Sequence, residues 1–274
     1  MTGGGSVVVR RQLGAKLRHL RLKAGKDVAD VTEAGLGSKA KMSRIETGKG
    51  AVRVADVRAL CWLYGVDGPT TDALAAMAPG TQQDGWQEEY GYAVPEWFGL
   101  RAGLEATASR IRCFEPEFVH GLVQTRDYAT AVFRADPRLA PDVVEQRVRF
   151  RMERQVRLAE SDPPTSVLVV LGEGALRKVV GSPEVMAAQL DHLRSADAHP
   201  LVEVRVLPFG AGAVPRRGSF DLLDFVDEDD PSVAYVELPF GARYFDRPSE
   251  RADYEFVFDL VAAKTIPIND WSPG

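Results

Sequence analysis

The 274-residue sequence contains only two cysteines, and it has no long apolar run. Cys61 and Cys113 lie far apart among apolar neighbours, which predicts buried thiols in a reducing compartment and excludes a disulfide-stapled secreted fold. No stretch approaches the roughly 20 apolar residues that cross a bilayer, and residues 1–9 lack the apolar core of a signal peptide. We therefore expect a cytoplasmic protein that does not associate with membranes.

Histidine is also scarce, with four residues in the chain. His19 lies in a predicted basic helix, while His120, His192 and His199 show neither an HExxH motif nor a paired metal-ligand spacing. The glycine-rich segment 210–218 matches neither a Walker motif nor a GxGxxG turn after a strand, so we interpret it as a connecting loop. The sequence therefore predicts no metal site, no cofactor and no enzymatic activity.

Charge is unevenly distributed along the chain, whose net charge is −5. Residues 1–66 hold 13 of the 34 lysines and arginines but only 5 of the 39 acidic residues. A basic segment of this kind is expected where a surface neutralises nucleic-acid phosphates. The acidic remainder would be repelled by DNA, so we expect it to perform a different task.

Hydrophobic periodicity predicts five short helices within residues 1–80. Asp27 and Ser38 are typical helix N-caps, and the turn Gly35–Leu36–Gly37 separates the helices that they begin. In the third helix Met42 and Ile45 face inward, so its lysines, arginine and serine face outward. The five predicted helices are residues 9–24, the two helices capped by Asp27 and Ser38, and residues 54–64 and 67–77.

The segments 13–21, 24–25 and 38–48 resemble the phage-repressor or XRE-type helix-turn-helix family, and the last segment is the most specific. The resemblance implies a five-helix, lambda-repressor-like domain whose third helix lies in the DNA major groove. Side chains that can read base edges are then Lys39, Ala40, Lys41 and Arg44. Side chains placed to contact phosphates are Ser38, Ser43 and Lys49. The alternative is that this cationic face is only the solvated surface of a protein-interaction module.

Residues 81–97 are interpreted as an aromatic-rich connection that docks on the second domain, and residues 98–274 as that domain. In this domain the hydrophobic residues first recur at helical spacing and later alternate as in strands, which predicts a helix-rich mixed α/β fold. The predicted helices are 98–111, 125–134, 141–160, 174–180, 183–196 and 254–263, and the predicted strands are 167–171, 202–206, 219–226 and 232–238. Phe256, Leu260 and Ala263 are the residues expected to cover the sheet.

Residues 86–272 resemble the C-terminal domain of unknown function found behind helix-turn-helix modules in actinobacterial regulators of the WhiJ-like kind. The match is carried by the segments 99–106, 119–125, 128–129, 151–158, 173–177 and 206–209, and by Gly212. The resemblance implies association with a small protein encoded nearby, an antitoxin-like role in some members, and no established catalytic site. The polar residues of these segments that could line an effector pocket are Gln124, Tyr128, Arg151, Arg154 and Glu173. The alternative is that they form structural hydrogen bonds and salt bridges.

These observations together predict a sequence-specific transcriptional regulator, most simply a repressor. It would bind an inverted-repeat operator in double-stranded DNA as a homodimer, with half-sites about one helical turn apart. Its C-terminal domain would bind a ligand or a small partner protein. Two alternatives stay open: an antitoxin-like protein that holds a co-encoded partner and autoregulates its operon, and an enzyme with a DNA-targeting head that depends on Glu173 or Arg154.

Overall fold

The computed structural model describes residues 6–78, 81, 93–94, 96–105, 108–161, 164–215, 218–225, 232–238, 241–245 and 248–272. The chain divides into two compact units, Met1–Glu89 (unit 1) and Tyr90–Gly274 (unit 2). The predicted connection over 81–97 lies for the most part outside the described residues. Within the described ranges, no helix is long and apolar enough to cross a membrane. Both cysteines are free and buried.

Unit 1 contains the five helices predicted from the sequence. They are α1 (Ser6–Lys23), α2 (Val28–Glu33), α3 (Lys39–Glu46), α4 (Val54–Leu63) and α5 (Gly68–Met77). Local signals explain the starts of three of them, because Asp27, Ser38 and Asp67 each accept a hydrogen bond from a backbone N–H in the first turn. One apolar core holds them together, and Leu13 and Met42 are completely buried within it.

Unit 2 is built on a seven-stranded mixed sheet. The elements are α6 (Glu96–Glu105), β1 (Arg110–Glu115), α7 (Arg126–Arg134), α8 (Pro141–Ala159), β2 (Ser166–Gly172), α9 (Glu173–Arg177), α10 (Pro183–Asp197), β3 (Val202–Leu207), β4 (Phe220–Asp224), β5 (Val233–Leu238), β6 (Gly241–Phe245), α11 (Pro248–Ala262) and β7 (Ile266–Pro267). The strand order is β6-β5-β4-β1-β2-β3-β7. The central strands β1, β2 and β3 are parallel, and the other pairings are antiparallel. The mixed α/β fold class is therefore confirmed.

The sheet separates two apolar cores, because successive side chains of a strand point to opposite faces. On one face Val169 of β2 packs in a core that includes Tyr128 of α7 and Leu193 of α10. On the other face Val170 packs with Phe258 of α11. Both faces of β2 are covered, which explains why its sequence is a continuous apolar run.

Two expectations for unit 2 were wrong. The helix predicted over 98–111 ends at Glu105, and residues from Arg110 form β1, the central strand of the sheet. Leu104, Ala108 and Ile111 have helical spacing, but all three are buried in the sheet core. The sequence prediction also omitted β6 and β7.

The second error concerns the face of α11 that contacts the sheet. Phe256, Leu260 and Ala263 were expected to cover it, yet all three are exposed. The neighbouring residues Val257, Phe258 and Val261 are buried there instead. Apolar residues occur around much of this helix, so its sequence does not specify one inward face, and packing against β4 and β5 decides between them.

Candidate nucleic-acid interface and buried charged cluster

The turn between α2 and α3 has the backbone geometry that a helix-turn-helix motif requires. Gly35 adopts a positive φ of 71°, which a residue with a side chain rarely adopts. The Ser38 hydroxyl then accepts the backbone N–H of Lys41 at 3.2 Å and caps α3. At the other end of the motif Asp27 and Asp30 form a reciprocal capping box that begins α2. The order of the two helices and the turn thus follows from local residue types.

Helix α3 is held against α1 by a close backbone approach and a buried ion pair. A Cβ atom at Gly14 would overlap the carbonyl oxygen of Ile45, so only glycine allows the two helices to approach this closely. Arg21 donates two hydrogen bonds to the Glu46 carboxylate, at 2.7 and 2.9 Å, and both side chains are buried. Pairing with Glu46 raises the pKa of Arg21 above its ordinary value. The orientation of α3 within unit 1 is therefore fixed.

The outward face of α3 carries most of the residues predicted to contact DNA. The exposed members of that set are Ser38, Lys39, Ala40, Ser43, Arg44 and Lys49. Lys41 differs, because its ammonium donates to Asp56 at 3.0 Å and to the Leu36 carbonyl at 3.4 Å. Lys41 must break this ion pair before it can reach a base or a phosphate.

A surface depression of about 410 Å³ lies where α1, α2 and α3 meet. Its lining includes Arg18, Lys39, Ser43 and Thr47, together with the mutually paired Arg21 and Glu46. Arg18, Lys39 and the Ser43 hydroxyl can donate to a phosphate oxygen in this depression, whereas the Thr47 hydroxyl already donates to the Ser43 carbonyl at 2.6 Å. Arg18 and Thr47 were not among the predicted contacts, although the sequence places Arg18 on a strongly basic helix.

Four of the five residues of the predicted effector pocket lie around one loop of unit 2. Gln124 donates to the Val119 carbonyl at 2.6 Å, and the Tyr128 hydroxyl accepts the Val119 N–H at 3.1 Å. Arg151 donates to the Gln124 side chain. The glycine at position 121 lies beside both Arg151 and Arg154. These contacts bring α7 and α8 together over the loop that follows β1.

Glu173, the fifth predicted residue, has its hydrogen bonds at the carboxyl end of β2. It accepts the Phe209 backbone N–H and the Arg177 Nε, each at 2.6 Å. These hydrogen bonds lower the pKa of Glu173. Glu173 thereby connects the loop after β3 to α9, whereas Arg154 pairs with Glu105 of α6.

The Arg154–Glu105 pair belongs to a buried charged cluster that connects α6, α8 and β4. Arg154 donates two hydrogen bonds to Glu105, at 2.7 and 2.9 Å. Arg101 contacts Glu105 at 2.9 Å and Asp221 at 2.7 Å. Burial opposes ionisation of Asp221, but Arg101 and His120 outweigh burial and hold its pKa far below the ordinary value. The spacing of Arg101 and Glu105 was a local signal for one of these pairs.

His120 joins this cluster in its neutral form. Its Nδ1 accepts the Leu122 backbone N–H at 3.3 Å, so the proton lies on Nε2, which is 3.3 Å from Asp221. Burial lowers the pKa of His120, in agreement with a neutral ring. Cys113, His120 and Asp221 lie close enough together to ligate a metal ion. However, the Arg101 guanidinium lies 3.0 Å from the same His120 nitrogen and would repel a cation there.

Comparison with protein families identifies both parts of the chain. Residues 12–74 match a family model described as a helix-turn-helix domain, and residues 98–270 match one described as a domain of unknown function, DUF5753. Comparisons with curated proteins and with solved structures gave no match. The second family model covers more than half of the chain. The chain therefore belongs to the DUF5753 family and carries an N-terminal helix-turn-helix domain, which implies DNA binding and suggests a transcriptional regulator.

Proposed function

We propose that the protein is a sequence-specific repressor that acts in the cytoplasm as a homodimer on an inverted-repeat operator. The observation that carries the proposal is the exposed face of α3, which is rich in cations and hydroxyls and is fixed on α1 by the Arg21–Glu46 pair. A rigid helix presents its side chains to the major groove without a large ordering cost on binding.

The contacts divide into base readout and phosphate binding. Arg44 and Lys39 are the exposed cations of α3 that can donate to guanine, and the Ala40 methyl can meet a thymine methyl. The phosphate contacts in this proposal are Ser38, Ser43 and Lys49, with Arg18 added from the depression beside α3. Lys41 remains a proposed base contact, but its affinity contribution is reduced by the ion pair with Asp56 that it has to give up.

The test is a titration of the full chain with the duplex upstream of its own gene and with a scrambled duplex of equal composition, at several salt concentrations. Arg44→Ala should cost about 1 to 3 kcal/mol on the specific duplex, a loss of about 5- to 150-fold, with little change on the scrambled one. Lys49→Ala should weaken both duplexes alike and reduce the salt slope by about one unit.

Arg194→Ala is the matched control, because this arginine lies on α10 of unit 2 and is bound to Asp191 at the surface. It removes the same charge from the chain without touching α3, so both affinities should stay unchanged. Equal losses for Arg44→Ala on the two duplexes would contradict base readout. A wild-type chain that prefers no promoter fragment over scrambled DNA would refute the whole proposal.

We further propose that unit 2 acts by binding rather than by catalysis, since the acids and bases of its buried cluster are engaged with one another.

One observation favours a protein partner and hence the antitoxin-like alternative. Phe118, Val179 and Phe209 are 42%, 63% and 66% exposed; Phe118 follows β1, Val179 follows α9, and Phe209 follows β3. Genome-wide mapping of bound DNA sites distinguishes a repressor of several genes from an antitoxin-like autoregulator, because an autoregulator would occupy only its own promoter.

A further inference from the structure

Arg151 of α8 is a partly buried arginine whose hydrogen-bond partner, among the residues that the structure describes, is neutral. Its Nη1 donates to the side-chain oxygen of Gln124. The centre of its guanidinium lies 4.3 Å from the centroid of the Phe133 ring. Its Nε atom is buried and has no hydrogen-bond acceptor in the described part of the chain. Buried charges are normally paired, so this guanidinium is an exception that calls for an explanation.

The two arginines beside it are neutralised within the fold. Arg101 is paired with Asp221, and Arg154 is paired with Glu105. Arg154 lies one helical turn from Arg151, so its positive charge opposes that of Arg151. Burial, followed by this repulsion, lowers the pKa of Arg151 to about 9. Within the described residues, the cluster therefore balances two of its three guanidinium charges in ion pairs and leaves Arg151 without an ion-pair partner.

Glu237 and Glu115 act to raise the pKa of Arg151, but within the described residues neither forms an ion pair with it. Burial, reinforced by Asp221, raises the pKa of Glu115 to about 8, so this carboxyl is neutral at pH 7. Glu237 is exposed, and its carboxylate lies 3.4 Å from the Tyr235 hydroxyl, which donates to it. The surroundings of Arg151 thus offer one guanidinium without an ion-pair partner among the described residues and one amide, that of Gln124.

We propose that unit 2 binds a small organic monocarboxylate through Arg151, with Gln124 completing the polar contacts. One unpaired guanidinium matches one negative charge, and its parallel N–H groups match the two oxygens of a carboxylate. A phosphate dianion would bring a second negative charge near Asp221 without a second free cation. The aromatic ring of Phe133 favours a carboxylate attached to a flat apolar body. This inference rests on the proposal that unit 2 acts by binding, and it is independent of DNA binding.

The test measures thermal unfolding and binding calorimetry of the full chain with sodium benzoate, sodium acetate, inorganic phosphate and sodium chloride at matched pH and ionic strength. Benzoate at ten times its Kd should raise the unfolding midpoint by about 3 to 6 °C relative to chloride. Acetate should raise it less, and phosphate should match chloride. Arg151→Gln should abolish the benzoate response, and Arg151→Lys should keep part of it, because a lysine retains the charge but not the paired N–H groups.

Arg157→Gln is the control variant, because it makes the same substitution on α8 at an exposed arginine paired with Glu153. It should respond to benzoate as the wild type does. Without any probe, Arg151→Gln should be at least as stable as the wild type, since it removes a buried charge that lacks a counter-charge. The proposal is overturned if wild-type protein shows no carboxylate-specific response, if phosphate exceeds benzoate, or if Arg151→Gln keeps the response. DNA affinity of the same variants is measured separately, so failure here leaves the DNA-binding proposal intact.

Discussion

Replacement of Glu105 by alanine should destabilise unit 2 more than any surface substitution. Glu105 is buried and receives the two hydrogen bonds from Arg154 and the contact at 2.9 Å from Arg101. Its removal leaves both guanidiniums in the interior with one carboxylate fewer between them. Breaking a buried pair in this way costs about 3 to 5 kcal/mol. For a unit of this size, the unfolding midpoint should fall by about 6 to 20 °C.

Hydrogen exchange of β2 is the appropriate assay, because the amides of a central strand exchange only when unit 2 opens. Their protection therefore reports the stability of this unit in the full chain. Glu117→Ala is the control, since the Lys178–Glu117 pair is at the surface, with side chains 42% and 71% exposed. That pair should contribute at most about 1 kcal/mol. If β2 loses no more protection in Glu105→Ala than in Glu117→Ala, the interpretation of the cluster as a stabilising centre is wrong.

Three further predictions concern unit 1 and pH. Arg21→Ala leaves the Glu46 carboxylate buried without its partner and should cost about 3 kcal/mol in denaturant unfolding of unit 1, with DNA affinity falling in parallel. Gly14→Ala adds a methyl group that forces α1 away from the Ile45 carbonyl. Adding one methyl group to a packed core costs about 1 to 3 kcal/mol, and the free energy of unfolding of unit 1 should fall by at least that much. Glu115 has its folded pKa raised to about 8, so its contribution to stability is complete at low pH and is lost as pH rises from about 4.5 to 8. Glu115→Gln should remove this decline, whose slope reaches about 1.4 kcal/mol per pH unit, when unfolding is measured across that range.

Unit 1 could be predicted closely because its signals are local. The caps at Asp27 and Ser38 and the left-handed glycine between them act within a few residues, and each works as the sequence predicted. The boundaries of unit 2 were harder, because the spacing of Leu104, Ala108 and Ile111 is compatible with a helix until the neighbouring strands are known. Parallel pairing with β2 makes β1 a strand, and that pairing joins residues more than fifty positions apart.

In the candidate sites too, contacts between residues far apart in the sequence could not be predicted from local patterns. Arg101 and Asp221 are 120 positions apart, so no periodicity in the sequence could bring them together. Arg21 and Glu46 are 25 apart, and their pairing depends on how α3 crosses α1. Residue types and the family resemblance singled out the loop around Gln124, but an effector pocket there stays a prediction. They could not indicate which arginine would remain without a counter-charge, because that depends on the three-dimensional arrangement of the carboxylates.

The position of Arg151 beside Arg154 gives the proposed ligand a consequence for the whole cluster. An anion bound to Arg151 offsets the repulsion between the two guanidiniums, so it should strengthen the Arg154–Glu105 pair that connects α8 to α6. Part of the free energy of carboxylate binding then stabilises unit 2 against unfolding. If the carboxylate also changes DNA affinity, linkage requires that DNA change carboxylate affinity by the same factor. A benzoate titration with and without bound operator, together with an operator titration with and without benzoate, therefore measures that coupling from both directions. A factor of one in both titrations would show that carboxylate binding does not regulate DNA binding.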